Sequence, residues 1–226
     1  MSGAERLVTS AEMKHMDDRT IVIHGVPSLV LMERAALASA EALREEGFDL
    51  ARVLCVCGPG NNGGDGFAVC RLLRLAGHDA TVVFVGDPAK RSAETRQQWR
   101  IAESYGVPVV AWAEFGASGA SAAAPATTVV DAVFGIGGGR APAGDFAEAI
   151  RWMGAARGAG ARVLSLDIPS GVSADTGEAP GEAVQADVTV TFAYRKVGHT
   201  RPPGSGLSGK VLVKDIGIYA ENEECL

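Results

Sequence analysis

Four clusters of polar residues stand out in this chain of 226 residues. The first is Asn61-Asn62-Gly63-Gly64-Asp65. The second is Asp131, followed by Gly135-Ile136-Gly137-Gly138-Gly139-Arg140-Ala141. The third joins Asp167 to Ser170, and the fourth is Lys196. The first cluster follows the apolar run VLCVC and leads into a helical pattern. Glycine lets a backbone come close to a ligand, and the first N–H groups of a helix have no intrahelical partner, so this stretch can hold an anion. Asp131 lies inside the apolar run VVDAVFG. A carboxylate there is costly to bury unless it is paired, hydrogen-bonded or bound to a cation. Each position also has a plainer reading. Asp167 before Ile168-Pro169 and Ser170 before Gly171 are common turn formers. Lys196 and Arg195 read equally as surface charges. His15, His24, His78 and His199 show no metal spacing and receive no role. The glycine stretch is not a nucleoside-triphosphate loop, because no Gly-Lys-Ser/Thr follows. Its glycines are also displaced from the usual frame of the dinucleotide fingerprint.

The elements that must position these clusters alternate along the chain. Residues 9–24 and 29–46 read as helices, the first with a capping box from Thr9 to Glu12 and the second capped by Ser28. Apolar runs at 53–57, 80–85, 107–111, 128–134, 162–166 and 187–193, with another inside 209–217, read as strands. Helical patterns at 66–76, 89–105 and 146–157 separate most of them. Residues 116–127 are rich in Ala, Ser and Gly and read as a flexible surface loop. Residues 172–186 are polar and turn-rich, and the acidic tail after Tyr219 reads as frayed. Strands separated by helices imply a mostly parallel sheet with helices on both faces. All four clusters then fall at or just past strand C-termini, which share one edge of such a sheet. The crevice at that edge is where open α/β sheets bind ligands.

Composition narrows the setting. Apolar residues make up 47% of the chain, enough for a core. No apolar stretch approaches a membrane span, and MSGAERLVTS holds no hydrophobic signal core, so a cytoplasmic protein is expected. Cys55, Cys57, Cys70 and Cys225 form no C-x-x-C pair and read as reduced core residues. A net charge of −6 argues against a broad nucleic-acid surface.

GPGNNGGDGFAVCRLL, then VVDAVFGIGGGRAP, then LDIPSGVSADTG resembles the NAD(P)H-hydrate epimerase family in its single-domain form. LMERAA, TFAYRKVG and VKDIGI are similar to weaker blocks of that family. The resemblance spans residues 9–218. Ala36 stands where the family usually has glycine, and residues 198–209 are hard to align. The fold implied is a single three-layer Rossmann-like domain, a helical pair at about 9–46 followed by a core at about 50–218.

The activity implied is epimerisation of the R and S forms of NADHX and NADPHX, the C6-hydrated nicotinamide dinucleotides. One potassium ion per subunit is implied, with Asn62, Asp131 and Ser170 as its ligands. Asn61, Asn62, Gly63, Gly64 and Asp65 would line the substrate. So would Gly135, Ile136, Gly137, Gly138, Gly139, Arg140, Ala141 and Asp167. Loss and return of water at C6 needs an acid–base group, and the expected one is Asp167, oriented or tuned by Lys196. A separate dehydratase and a homodimer are the expected partners, with no nucleic acid and no membrane. Two other readings share the fold. One is a non-catalytic nucleotide-binding or scaffold module. The other is a generic dehydrogenase, against which the displaced glycines and the lack of a ribose-binding acid after the second strand both weigh.

Overall fold

The computed structural model describes residues 6–117 and 125–219. Most of the Ala/Ser/Gly-rich loop, the acidic tail and Cys225 lie outside the described residues. The chain opens with β1 (Leu7–Val8) and α1 (Ser10–Asp18). Thr9 caps α1 as its sequence predicts: its hydroxyl accepts from the Glu12 N–H, and the Glu12 carboxylate accepts from the Thr9 N–H at 2.7 Å. The predicted helix is cut short, because Arg19–Ile23 widens into a π turn closed by the His24 N–H on the Arg19 carbonyl. Helix α2 (Ser28–Glu45) follows. Ser28 does not cap it. Pro27 takes the cap position, and the Ser28 hydroxyl reaches Glu94 at 3.0 Å.

Next come β2 (Val53–Cys57), α3 (Asn61–Leu75), β3 (Ala80–Phe84), α4 (Ala93–Ser104), β4 (Val109–Ala111) and α5 (Trp112–Ala117). The second half of the chain gives β5 (Thr128–Ala132), α6 (Asp145–Gly158), β6 (Arg162–Leu166), β7 (Val188–Phe192), β8 (Arg195–Lys196), α7 (Gly204–Leu207) and β9 (Lys210–Lys214). Seven strands form one parallel sheet in the order β4-β3-β2-β5-β6-β7-β9. The chain first winds outward from β2 to β4 and then returns to place β5 on the other side of β2. That reversal, between β2 and β5, is the switch point at which such sheets bind ligands.

The strands alternate between two cores. Val53, Cys55 and Cys57 pack with Val130 and Ala132 under α2 and α3. Leu54, Val56, Val129 and Val133 face α6, beside Trp112 of α5. Because both faces are covered, the central strands read as unbroken apolar runs. The cysteines of the first core, Cys55, Cys57 and Cys70, are buried free thiols.

Asn61–Asp65 is not a loop ahead of the helix. It is the first turn and a half of α3. Glycine costs about 1 kcal/mol in a helix interior, yet here the space admits nothing larger. A Cβ on Gly63 would strike the Gly58 carbonyl, one on Gly64 the Met32 side chain, and one on Gly66 the side chains of Ala132 and Cys57. The glycines are therefore a packing solution that drives the helix start into the switch point.

Candidate active site

Asp131 occupies the sheet position paired with Val56 on one side and Ser165 on the other. It is fully buried. Its carboxylate accepts from the Ser165 hydroxyl at 2.8 Å, the Ser170 N–H at 2.9 Å and the Ser170 hydroxyl at 2.5 Å. Burial raises the Asp131 carboxyl above the usual carboxylate range, and the hydrogen bonds from Ser170 and Ser165 pull the other way. Ser170 also accepts from the Phe134 N–H at 2.9 Å and lies 3.3 Å from the Phe134 carbonyl. The ends of β5 and β6 are thus laced through one hydroxyl.

Asn62 approaches from α3, beside Gly135. It is 8% exposed, and neither its Oδ1 nor its Nδ2 has a hydrogen-bond partner within the protein. Buried amides are almost always paired, and an unpaired one costs about 1–3 kcal/mol. Gly135 explains the approach: a Cβ there would sit 3.1 Å from Oδ2 of Asp167 and 3.4 Å from the Asn62 side chain. The two side chains therefore flank one glycine.

Asp167 takes a left-handed backbone conformation, with φ of 67°, that glycine adopts freely and side-chain-bearing residues adopt rarely. Such a residue costs of order 1–3 kcal/mol and persists where its surroundings over-determine it. The Asp167 N–H donates to the Val190 carbonyl at 2.7 Å. One carboxylate oxygen accepts from the Ile136 N–H at 3.1 Å, and the other lies 2.5 Å from Nζ of Lys196. Lys196 is not a surface charge. It is 1% exposed, and its ammonium also donates to the Thr191 hydroxyl at 2.9 Å and the Phe192 carbonyl at 3.0 Å. All three of its protons are engaged.

Two further carboxylates share the electrostatic surroundings of this pair. Burial pushes Asp65 well above the ordinary carboxylate range, with the charges of Asp167 and Asp17 adding to the effect. Burial also raises Asp17, to about 6, and the negative charge of Asp167 adds to it. Asp17 carries no signal in the sequence, since it sits beside Asp18 and resembles a solvated helix face. The unforeseen pairing of β1 with β8 brings it in. Val8 lies opposite Lys196, and Ser10 at the start of α1 donates to the Ile136 carbonyl at 3.1 Å and, through its N–H, to Asp175 at 2.6 Å. Met13 and Met16 then pack on Ile136, Ala193 and Tyr194.

The remaining predicted residues lie around this centre. No side chain caps α3; the Gly63 N–H closes on the Gly60 carbonyl at 2.9 Å, and the N–H groups of Asn61 and Asn62 have no intrahelical partner. Thr95 braces this end by donating to the Gly60 carbonyl at 2.7 Å. Gly135–Gly138 forms a tight turn. Gly137, Gly139, Arg140 and Ala141 are exposed along the rim beyond it. Among the described residues no three His, Cys, Asp or Glu side chains group as metal ligands. An ion at this corner would instead meet an amide, a hydroxyl and a single carboxylate.

Residues 28–198 match the family model for the YjeF-related protein N-terminus. The chain is 46% identical over 218 residues to an NAD(P)H-hydrate epimerase of Limosilactobacillus reuteri, covering 96% of this chain and 98% of the relative. It is 43% identical over 217 residues to one from Levilactobacillus brevis, covering 96% of each. The crystal structure of the yeast protein ynu0 shares the fold, with a TM-score of 0.76 at 21% identity over 93% of this chain and 88% of that one.

Proposed function

The chain belongs to the YjeF-related N-terminal family, and we propose that, like its NAD(P)H-hydrate epimerase relatives, it interconverts the R and S forms of NADHX and NADPHX. The reading rests on one observation above the rest: a strained aspartate, Asp167, aimed into the switch point and held between the Ile136 N–H and a buried lysine.

The chemistry follows from the hydrate. Its C6 hydroxyl sits next to ring nitrogen N1. A proton held between the Lys196 ammonium and the Asp167 carboxylate passes through Asp167 to that hydroxyl. The C6–O bond breaks, the N1 lone pair forms the C6=N1 iminium, and water leaves. Water then adds to the other face, the C6–O bond reforms, and the released proton returns to Asp167. Nothing is oxidised or reduced. Lys196 fixes the carboxylate in place through their 2.5 Å contact. General acid–base assistance of this kind is worth about 10²–10⁴-fold. Asn61, Asn62, Gly63, Gly64 and Asp65, with the Gly135–Gly139 stretch, Arg140 and Ala141, line the dinucleotide, whose pyrophosphate lies on the N–H groups at the start of α3.

A potassium ion fits the corner made by Asn62, Asp131 and Ser170. The donors are all oxygens, as a hard monovalent cation requires, and the orphaned Asn62 amide gains a partner. When bound, the ion would offset the buried charge of Asp131 and tie the start of α3 to the Asp167–Ser170 turn.

Epimerisation restores no cofactor by itself, so a separate dehydratase acts on one epimer. A homodimer is the expected assembly, and exposed Val22, Ile23, Val30 and Leu37 on the π turn and α2 offer it an apolar face. The proposed site of action is the cytoplasm; no helix among the described residues is long and apolar enough to cross a membrane. The test is purified protein supplied with an S-specific dehydratase and a mixed hydrate. The R form is consumed faster than its spontaneous drift with the wild type. With Asp167→Asn it falls back to that drift. Wild-type turnover by a folded Asp167→Asn protein would overturn the assignment.

A further inference from the structure

His199 shows no metal spacing and has no place in the chemistry described above, yet it touches both members of the acid–base pair. It is 3% exposed. Its Nδ1 accepts from the Lys196 N–H at 3.1 Å, and its Nε2 lies 3.0 Å from the Asp167 carbonyl. A carbonyl only accepts, so Nε2 carries the proton and Nδ1 is bare. The ring is neutral and its tautomer is set by its partners. We propose that His199 is a positioning residue: a single imidazole ties the backbone of Asp167 to the backbone of Lys196 and so fixes the two reacting side chains relative to each other. This rests on Asp167 and Lys196 being the reacting pair.

Asp167 needs such a tie. Its left-handed conformation is unfavourable, and its peptide N–H is held by Val190 on one side only. The His199 hydrogen bond holds the other side. Without it the turn can relax, and the carboxylate swings away from the Ile136 N–H and the Lys196 ammonium. The ring is itself seated firmly. The Gly198 N–H donates to the Ala174 carbonyl at 2.7 Å, and a Cβ at Gly198 would strike the Ser173 carbonyl. The Gly204 N–H donates to the Gly177 carbonyl at 2.9 Å. Residues within 198–209, the segment that is hard to align, thus press His199 under the Asp167 turn.

The clamp works only while Nδ1 is bare. A second proton there would face the Lys196 N–H, donor against donor. Burial lowers the His199 pKa to about 4; the Asp167 charge opposes that, and Lys196 and Arg195 support it. The imidazole therefore stays in its working form throughout the neutral range.

Nitrogen NMR of the wild-type protein tests the tautomer without an assay. The expected signature is a proton on Nε2 at pH 7 and a titration midpoint near 4. An Nδ1–H tautomer, or a midpoint near 6.5, would overturn the clamp. Kinetics test its role. His199→Phe keeps the bulk and loses both hydrogen bonds, so kcat should fall about 10–100-fold with KM within about threefold, as expected for misplacement of a reacting group by a fraction of an ångström. His199→Gln keeps a donor and an acceptor and should recover most of that loss. Wild-type kcat in His199→Phe, beside an inactive Asp167→Asn, removes the clamp and leaves the acid–base pair standing. Full turnover by Asp167→Asn removes both.

Discussion

Nζ of Lys196 lies 2.5 Å from Oδ1 of Asp167, with the two side chains 1% and 12% exposed. An ion pair this dry is strongly destabilised when one partner is removed, because the other keeps its burial without its counter-charge. Lys196→Met should therefore cost about 3 kcal/mol and reduce kcat by at least about 10²-fold. Asp167→Asn combined with Lys196→Met should regain most of the stability and none of the activity. Urea melts of the two single variants and the double variant close the cycle. Additive losses would mean that the two side chains do not interact.

Asp17 gives a pH signature of definite sign. Its carboxyl is raised from 3.8 to about 6 in the folded protein. The unfolded chain releases that proton first, so the contribution to stability is full below about 4 and is lost as pH rises through about 6. Asp17→Asn removes this dependence. Relative to wild type it should gain about 1–3 kcal/mol at pH 8, with the gain vanishing by pH 4. Denaturant melts at both values decide it, and an equal difference at the two would remove the pH linkage.

His199 runs in the opposite direction over an overlapping range. Its pKa is lowered from 6.5 to about 4 on folding. The stability it contributes is present above 6.5 and is lost as pH falls toward 4, because the unfolded chain takes up a proton that the folded imidazole refuses. A His199→Phe protein, although less stable overall, should show a flatter fall between pH 6.5 and 4 than the wild type. An unchanged slope in that window would mean that His199 is not held neutral.

The parts of the fold visible in the sequence are those with periodicity. Strands β2 and β6 begin and end where their apolar runs do. The meeting of Asp131, Asp167, Ser170 and Asn62 follows from strand C-termini sharing an edge at a switch point. Asn61–Asp65 escaped because local propensity argues against a helix of glycines, and only the close approach of Gly58, Met32 and Cys57 reverses that preference. Asp17 and His199 escaped for another reason. Both are brought in by pairings too short to leave a pattern: the two residues of β1 against β8, and a single turn after Lys196. Burial of Lys196 was equally invisible, since a lysine beside an arginine reads as surface.

The glycines of α3 and α6 should respond oppositely to the same change. Gly154 lies in α6 with nothing within 4 Å of a built Cβ. Gly154→Ala should add about 0.5–1 kcal/mol from helix propensity and reduced unfolded-state entropy. At Gly63 the same methyl meets the Gly58 carbonyl, which belongs to the turn leaving β2. Gly63→Ala should cost several times more than propensity returns, about 1–3 kcal/mol net. Thermal melts of both variants settle the contrast. A stabilised Gly63→Ala protein would show that the α3 start is not packed against that turn.

Asn62 offers the sharpest test of the ion corner, because its amide has no partner in the protein. Replacing an unsatisfied buried polar group with an apolar one of similar size is neutral or stabilising, whereas replacing a satisfied one is not. In choline buffer Asn62→Leu should therefore melt at or above the wild-type temperature. In potassium buffer the order should reverse, since only the wild type gains the linkage stabilisation that a bound ion supplies, about 2.7 kcal/mol at 100-fold excess over Kd. Asp131→Ala should also lose the potassium response, but from a lower starting point, because it strips a carboxylate from three hydrogen bonds with Ser165 and Ser170. If Asn62→Leu keeps the wild-type difference between potassium and choline, its amide is not a ligand, and the orphaned group must instead be matched by the dinucleotide.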